Sequence, residues 1–325
     1  MKSARHNIRG FTLTELLITV AIIVLLVSLV IVIFRPMQDS AHQANSLAAL
    51  RQVGAAFSAY SSDHRQRFLP GYLGGYDGND HVETLTPRSR MEMPPWFNAS
   101  HADGFTEDEL RSYVWRLTPY VDGHWRTFYE DTPQSPWVSN HASRFASEDG
   151  PDQPEELITD IAQSPSFGMN SIFVGGDSEH GGDWAISRNP WNGSNPRLAA
   201  TRLSQVREPA RLIAFGAAAP ASPTIGDDPD DNYLHTDRGY AEFRAPYLEQ
   251  LDSGEWDQQQ WEIGLGGRVV HADSASTDPG AGFPIERSAA GVPTVMIDGS
   301  TEAARLETLA EDMSRWSPDG FRPPQ

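Results

Sequence analysis

The sequence predicts an α+β chain in which one long N-terminal helix, half membrane-type and half amphipathic, packs on an antiparallel sheet that carries large loop insertions. Three observations predict it. Leu16 to Phe34 is an uncharged apolar run of about 19 residues, enough at roughly 1.5 Å per residue to cross most of a hydrocarbon core. Beyond it Leu47, Leu50, Val53, Phe57 and Tyr60 recur at spacings of three and four, the apolar stripe of an amphipathic helix. Past about Arg67 long helical periodicity gives way to short apolar runs bounded by Gly, Pro, Asn and Asp, the pattern of strands and turns.

The chain opens with MKSARHNIRG, a short polar leader carrying Lys2, Arg5 and Arg9. Basic residues before the span and none within it place the leader in the cytoplasm and everything after Arg35 on the exported side of a single-pass membrane helix. A cleavable secretory signal would have a shorter apolar region and a small-residue cleavage site, whereas this run ends in Ile-Val-Ile-Phe-Arg-Pro. An ordinary signal anchor leaves Glu15 unexplained, since a carboxylate placed deep in a span costs about 2 to 3 kcal/mol. Arg35-Pro36 predicts a bend or short break, because proline removes a backbone donor and disfavours helical geometry in the residue before it. Residues 37–66 then resume the helix, with Gln43, Asn45, Arg51 and Gln52 off the apolar stripe.

Further along, 171–176 (SIFVGG), 211–219 (RLIAFGAAA), 268–272 (RVVHA) and 292–299 (VPTVMIDG) read as short strands. Thr106 to Leu117 reads as a short helix behind a Thr-x-x-Glu-like cap, and Leu306 to Trp316 as a C-terminal helix ending at Ser317-Pro318. The stretches 71–112, 122–156 and 220–262 read as long surface loops or insertions. No internal repeat is evident, and 67–325 reads as one domain.

Composition removes several classes of function. The chain of 325 residues contains no cysteine, which excludes disulfides and thiolate metal or redox sites. Its net charge of -19 does not supply the concentrated basic surface that nucleic acid requires. There is no His-Glu-x-x-His zinc helix, no Gly-x-Ser-x-Gly elbow and no Walker loop, so the sequence predicts no enzyme. Among the ten histidines only His180-Gly181-Gly182-Asp183 and His271-Ala272-Asp273 have a ligand flavour. The loop 226–232 offers the carboxylates of Asp227, Asp228, Asp230 and Asp231, oxygen ligands of the kind calcium takes, but not the spacing of a calcium-binding loop with its distal glutamate. The plainer reading is a solvated acidic loop, with no resident metal or cofactor. Tryptophans such as Trp184 and Trp191 lie among Asp, Asn and Gly, as on sugar-binding surfaces, yet tryptophan is more often packed than presented.

The segment Gly10-Phe11-Thr12-Leu13-Thr14-Glu15, behind a short basic leader and ahead of an apolar span, resembles the class III signal of type IV prepilins and type II secretion pseudopilins. The resemblance implies residues 1–10 as a prepilin leader, 11–34 as the transmembrane helix, 35–66 as its amphipathic continuation and 67–325 as a periplasmic or extracellular pilin-like domain. It also implies cutting after Gly10 by a prepilin peptidase/N-methyltransferase in the inner membrane, methylation of the Phe11 amine, and use of Glu15 in filament assembly with other pilin or pseudopilin subunits. The physics fits. Gly10 lets an extended backbone into a peptidase cleft, and a carboxylate that neutralises a neighbour's amine inside an apolar bundle fixes register, because either charge alone is costly there. The implied product is a structural subunit, minor or at the tip given its large acidic domain. The rival is an anchored lectin-like or adhesive binding module.

Ectodomain segments resemble a family of large pilin-like proteins abundant in planctomycete-type bacteria. They are Pro165-Ser166-Phe167-Gly168-Met169-Asn170-Ser171, Leu203 to Ile213, Val295 to Glu302 and Ser314-Arg315-Trp316. That family is named for a histidine followed by nine residues and then Asp-Gly; here Ser288 stands at the histidine position ahead of Asp298-Gly299. Asp-Gly between apolar runs is in itself a hairpin signal.

Overall fold

A computed structural model describes residues 13–71, 112–122, 124–129, 161–162, 164–176, 199–219, 241–250, 256–264, 269–272, 282–286 and 290–318. The chain divides into two compact units, 1–42 and 43–325. Helix α1 runs from Leu13 to Asp63 and belongs to both. It continues through Pro36, so of the bend or short break expected there the break does not occur. One missing donor costs one bond of the ladder, and the regular turns on either side hold the helix through it.

In the second unit α1 contributes the predicted stripe. Leu50, Val53, Phe57 and Tyr60 are buried, Leu47 is partly so, and Asn45, Arg51 and Gln52 are exposed. The stripe faces a four-stranded antiparallel sheet of order β1-β2-β7-β8, made of Phe167–Met169, Ile213–Ala217, Val292–Met296 and Thr301–Ala304. Helix and sheet meet closely at Gly54, where a β-carbon would lie 2.7 Å from Cγ2 of Val295. Phe57 sits edge-on to Phe215, with centroids 5.5 Å apart, and Arg51 Nε donates to the Thr301 hydroxyl at 3.0 Å.

Every residue of β2 and β7 is buried because both faces of the sheet are covered. On one side lie the α1 stripe, Phe68, Tyr113, Trp115 and Phe128 with Phe215 and Val295. On the other lie Ile213, Val292 and Met296 with Phe243, Trp261, Leu309 and Trp316. Along β7 alternation delivers Val295 to one core and Val292 and Met296 to the other, while in β2 a register shift between Ile213 and Phe215 lets these two side chains enter different cores. Pro293 is tolerated in β7 because the pairing with β2 reaches only from Met296 to Thr294. The β7–β8 hairpin closes through Asp298-Gly299 as its sequence predicts: Gly299 has φ +86°, its N–H donates to Met296, and Ser300 N donates to the Asp298 carboxylate at 2.9 Å.

Several elements differ from expectation. Residues 171–176 form a turn with one isolated bridge at Val174, since Gly175 and Gly176 both take positive φ and end any extended run; the strand is β1, just before it. Of the helix expected over Thr106 to Leu117, Tyr113–Leu117 is helix α2, capped by Ser112, whose hydroxyl accepts from Val114 N at 3.4 Å, and 106–111 lie outside the described residues. The 220–262 stretch is not all loop, for it holds β3 (Tyr247–Gln250), β4 (Trp256–Gln259) and β5 (Trp261–Ile263). β3 pairs with β4, and β5 with β6 (Val269–His271), so each finds its hydrogen bonds in a neighbouring strand despite polar sequence. Within 122–156, Trp125–Phe128 is a packed 3₁₀ turn whose Trp125 and Phe128 are buried. The C-terminal helix is α3, Leu306–Glu311, followed by a 3₁₀ turn over Met313–Arg315, and both end before Ser317-Pro318.

Candidate functional site

The first described turns of α1 carry the chemistry singled out in the sequence. From Leu13 to Ser28 every side chain is exposed. Leu16, Leu17, Ile18, Val20, Ile22 and Ile23 lie between 52% and 63% exposed, and these residues go round the whole circumference of the helix. A helix that is apolar on all sides is suited to apolar surroundings and cannot be satisfied by water. Its two interior hydroxyls are already served: Thr19 donates to the Leu16 carbonyl and Ser28 to the Leu25 carbonyl, each at 2.8 Å. Neither needs a partner from outside, so neither opposes transfer of this surface out of water.

Glu15 lies in the first turn of α1. There the amide dipoles favour a carboxylate by about 0.3 to 1 kcal/mol. It is the one charged residue of Leu13–Ser28. Gly10 and Phe11 lie outside the described residues.

Among the described residues no helix is long and apolar enough to cross a membrane. The apolar stretch whose side chains are described, 13–28, covers about 24 Å along its axis, short of the roughly 30 Å of a hydrocarbon core. The sequence stays uncharged as far as Phe34, while the side chains of 29–36 fall outside the described set.

The other sites the sequence raised sort differently. The acidic loop with Asp227, Asp228, Asp230 and Asp231 lies outside the described residues, as do His180, Trp184, Trp191 and Ser288. His271 sits edge-on to Phe283, ring centroids 4.7 Å apart. No group of three metal-ligating side chains occurs among the described residues. Trp115, Trp125, Trp261 and Trp316 are buried. Trp261 Nε1 donates to the Arg244 carbonyl and Trp316 Nε1 to the Leu309 carbonyl, both at 2.9 Å.

One polar cluster escaped the sequence reading. Asp312 accepts from Arg211 at 2.6 Å and from the amide of Ser314, while Arg315 binds Glu302 of β8 and lies 3.6 Å from Asp312. Burial alone would raise the Asp312 carboxyl; the Ser314 hydroxyl, Arg211 and Arg315 together outweigh it and hold the group below its ordinary value. Next to this cluster Asn170 Nδ2 donates to the Ile213 carbonyl at 2.9 Å and to the Trp316 carbonyl at 3.0 Å. The four ectodomain segments that carried the second resemblance thus meet around β2 and the C-terminal turn. Nothing in the cluster is arranged as nucleophile and base; it ties the C-terminus to the sheet.

Residues 5–31 match the family described as the prokaryotic N-terminal methylation motif. No curated protein and no solved structure matches the chain. The match covers residues 5–10 of the leader, the Gly10-Phe11 junction, Glu15 and the exposed apolar stretch 13–28, and it supports a type IV pilin-like class of N-terminus. The planctomycete-type likeness of the ectodomain has no counterpart in these matches.

Proposed function

We propose that the chain is a prepilin, cut between Gly10 and Phe11, methylated on the new Phe11 amine and built through its N-terminal helix into a type IV pilus or a type II secretion pseudopilus. The observation that carries this reading is the exposure of apolar side chains on every side of α1 from Leu13 to Val27, directly behind Gly10-Phe11 and around Glu15. Each such side chain gains about 1.5 to 3 kcal/mol when fully buried. A bilayer before assembly and a bundle of like helices after it are two surroundings that provide that burial. The uncharged run to Phe34 and the basic leader favour a single pass through the inner membrane, with the leader cytoplasmic and the C-terminal domain periplasmic.

Cleavage places a free amine on Phe11 four residues before Glu15. In an apolar bundle that amine and a neighbour's Glu15 carboxylate neutralise one another, and a subunit in the wrong register leaves both charges alone. The acidic ectodomain, which repels its own kind, fits a subunit spaced out at the tip or in low number better than one packed densely along a shaft. The buried state of Trp115, Trp125, Trp261 and Trp316 lends nothing to a lectin-like reading.

The test is intact-mass and N-terminal analysis of the protein from its native membrane, with Gly10→Ala alongside. A mature chain beginning at methylated Phe11, with the variant left uncut, is the expected result. An intact leader in the wild type, or a cut beyond Phe34, would leave an ordinary anchored or secreted domain. Glu15→Gln then separates filament subunit from mere anchor: processing continues, while co-purification with other pilin-like subunits falls at least tenfold.

A further inference from the structure

The chain carries 44 acidic residues against 25 Lys and Arg. Two stretches that pack together reverse that balance. Residues 64–71, just past the end of α1, contain Arg65 and Arg67; residues 199–207, ahead of β2, contain Arg202 and Arg207; neither stretch holds an Asp or Glu. An isolated antiparallel bridge sets Arg67 directly opposite Arg202, and the Phe68 amide donates to the Thr201 carbonyl at 2.9 Å. All four arginines are exposed. Among the described residues none of them has a carboxylate partner, and Glu208, next in sequence, lies 3.7 Å from Arg211 instead.

This arrangement works against the stability of the chain by itself. Like charges directly opposite one another in a strand pair destabilise it. Arg65 and Gln66 take φ of 57° and 62°, a left-handed conformation that residues other than glycine rarely adopt. Beside the bridge, Leu203 is 40% exposed, the one large apolar side chain exposed among the described residues of 43–325. It sits there by construction. Leu203–Gln205 is a 3₁₀ turn in which Oε1 of Gln205 accepts from Thr201 N at 2.7 Å, from the Thr201 hydroxyl at 3.1 Å and from Arg202 N at 3.0 Å, while Val206 behind it is buried. One side-chain oxygen thus fixes the turn that presents Leu203 next to Arg202.

We propose that Arg65, Arg67, Arg202 and Arg207, with Leu203 among them, form a docking surface for an acidic segment of a separate protein chain, which brings carboxylates to the arginines and an apolar side chain to Leu203. Guanidinium groups bind carboxylates through paired hydrogen bonds, and on a chain of net charge -19 such a patch attracts what the rest of the surface repels. Phosphate groups would leave the exposed leucine unused; a polypeptide uses both features. A second copy brings the same net charge of -19, which opposes its approach as a whole. Carboxylates placed between Arg67 and Arg202 relieve the repulsion that the free chain carries. The proposal is independent of how the N-terminus is processed.

The probe is a short fluorescent peptide of aspartate and glutamate with a central pair of leucines, titrated against the full chain in non-ionic detergent at low salt, beside a control peptide with serines in place of the leucines. The leucine peptide is expected to bind about fivefold more tightly than the control, and both to weaken as salt is raised. Arg202→Glu is expected to weaken the leucine peptide by about tenfold while raising the melting temperature by about 1 to 3 °C, because it turns a repulsive pair across the bridge into an attractive one. An arginine that merely supports the fold would lose stability along with binding. Leu203→Ser is expected to cost the leucine peptide about fivefold and leave the control unchanged. Arg65→Glu, which lies in no strand, gives a second reading and should weaken the leucine peptide by about threefold. No binding of the leucine peptide, equal affinity for the two peptides, or a lower melting temperature for Arg202→Glu would each overturn the proposal. So would inorganic polyphosphate binding as tightly as the leucine peptide and unaffected by Leu203→Ser, the mark of a site for any polyanion. A dimer of the chain that Arg202→Glu dissolves would give the patch to a second copy and overturn it as well.

Discussion

The two ends of α1 use the same kinds of residue for opposite purposes. Between Leu47 and Tyr60 the large apolar residues recur at three and four, small or polar ones fill the gaps, and Leu50, Val53 and Phe57 are almost wholly buried against the sheet. Between Leu13 and Ser28 the apolar residues have no preferred side and all of them remain exposed. What separates the two is the angular spread of the side chains around the helix, more than its mean hydropathy. A stripe is satisfied by one partner, the chain's own sheet; a full circumference is satisfied only by being surrounded, which a single fold does not provide. Under the proposed function, folding and assembly fall to different ends of one element.

Substitutions that remove apolar volume test the division most directly. Phe57→Ala empties a site bounded by Phe68, with ring centroids 5.3 Å away, and by Phe215 at 5.5 Å. Between helix and sheet the cavity closes poorly, and the expected loss is about 3 to 5 kcal/mol, read by denaturant unfolding of the full chain in detergent. A loss below about 1 kcal/mol would mean that the stripe is not the main attachment of α1 to the sheet.

A smaller effect with an unusual sign is expected at Gly54. In an exposed helix interior Gly→Ala gains about 1 kcal/mol. Here the added methyl would stand 2.7 Å from the stiff, branched side chain of Val295. Gly54→Ala is therefore expected to destabilise, by about 1 to 3 kcal/mol. Pairing it with Val295→Ala should return part of that loss, and strictly additive effects of the two would show that helix and strand do not meet there.

The stripe, the strands within 211–219 and 292–299 and the Asp298-Gly299 hairpin were legible because each is written as a local pattern of apolar spacing or turn chemistry. The missed elements are those whose stability comes from pairing with another strand more than from the pattern of their own residues. Residues 247–250 and 256–259, Tyr-Leu-Glu-Gln and Trp-Asp-Gln-Gln, have neither alternation nor high strand propensity and become strands by pairing with each other. Thr301–Ala304 is a poor strand sequence carried by the hairpin in front of it. Conversely 171–176 has strand-like residues, but two glycines at positive φ turn them. At the site, Gly10, Phe11 and Glu15 could be singled out because a processing signal must be contiguous. The Asp312 cluster could not, since Arg211 reaches it from the turn ahead of β2, far away in sequence, and Glu302 of β8 joins it through Arg315.

That cluster supplies a pH dependence. The carboxyl of Asp312 is held below its ordinary value in the folded chain. A depressed carboxyl stabilises the fold at pH above its unfolded value near 4, and that contribution is lost as pH falls through the folded value. Asp312→Asn is expected to cost about 1 kcal/mol at neutral pH, a modest figure because the pair is partly solvated. The variant's stability should fall less than the wild type's below about pH 4. Parallel pH profiles for the two proteins would show that Asp312 is not the group that titrates.

The smallest expected change in stability bears most directly on function. Leu17→Ala removes as much apolar surface as many core substitutions, but from a residue that is 63% exposed. Nothing in the described fold rests on it, so the unfolding free energy should move by less than about 0.5 kcal/mol. Retention in the membrane and co-assembly with other pilin-like subunits should weaken, and should weaken further as alanines accumulate at Ile18, Ile22 and Leu25 around the circumference. Phe57→Ala is expected to behave in the reverse way, losing stability while any folded fraction still assembles. If both substitutions moved the same readout, the helix would be one structural element with a single role. If they separate, exposed apolar area at the N-terminal end is the quantity on which assembly acts.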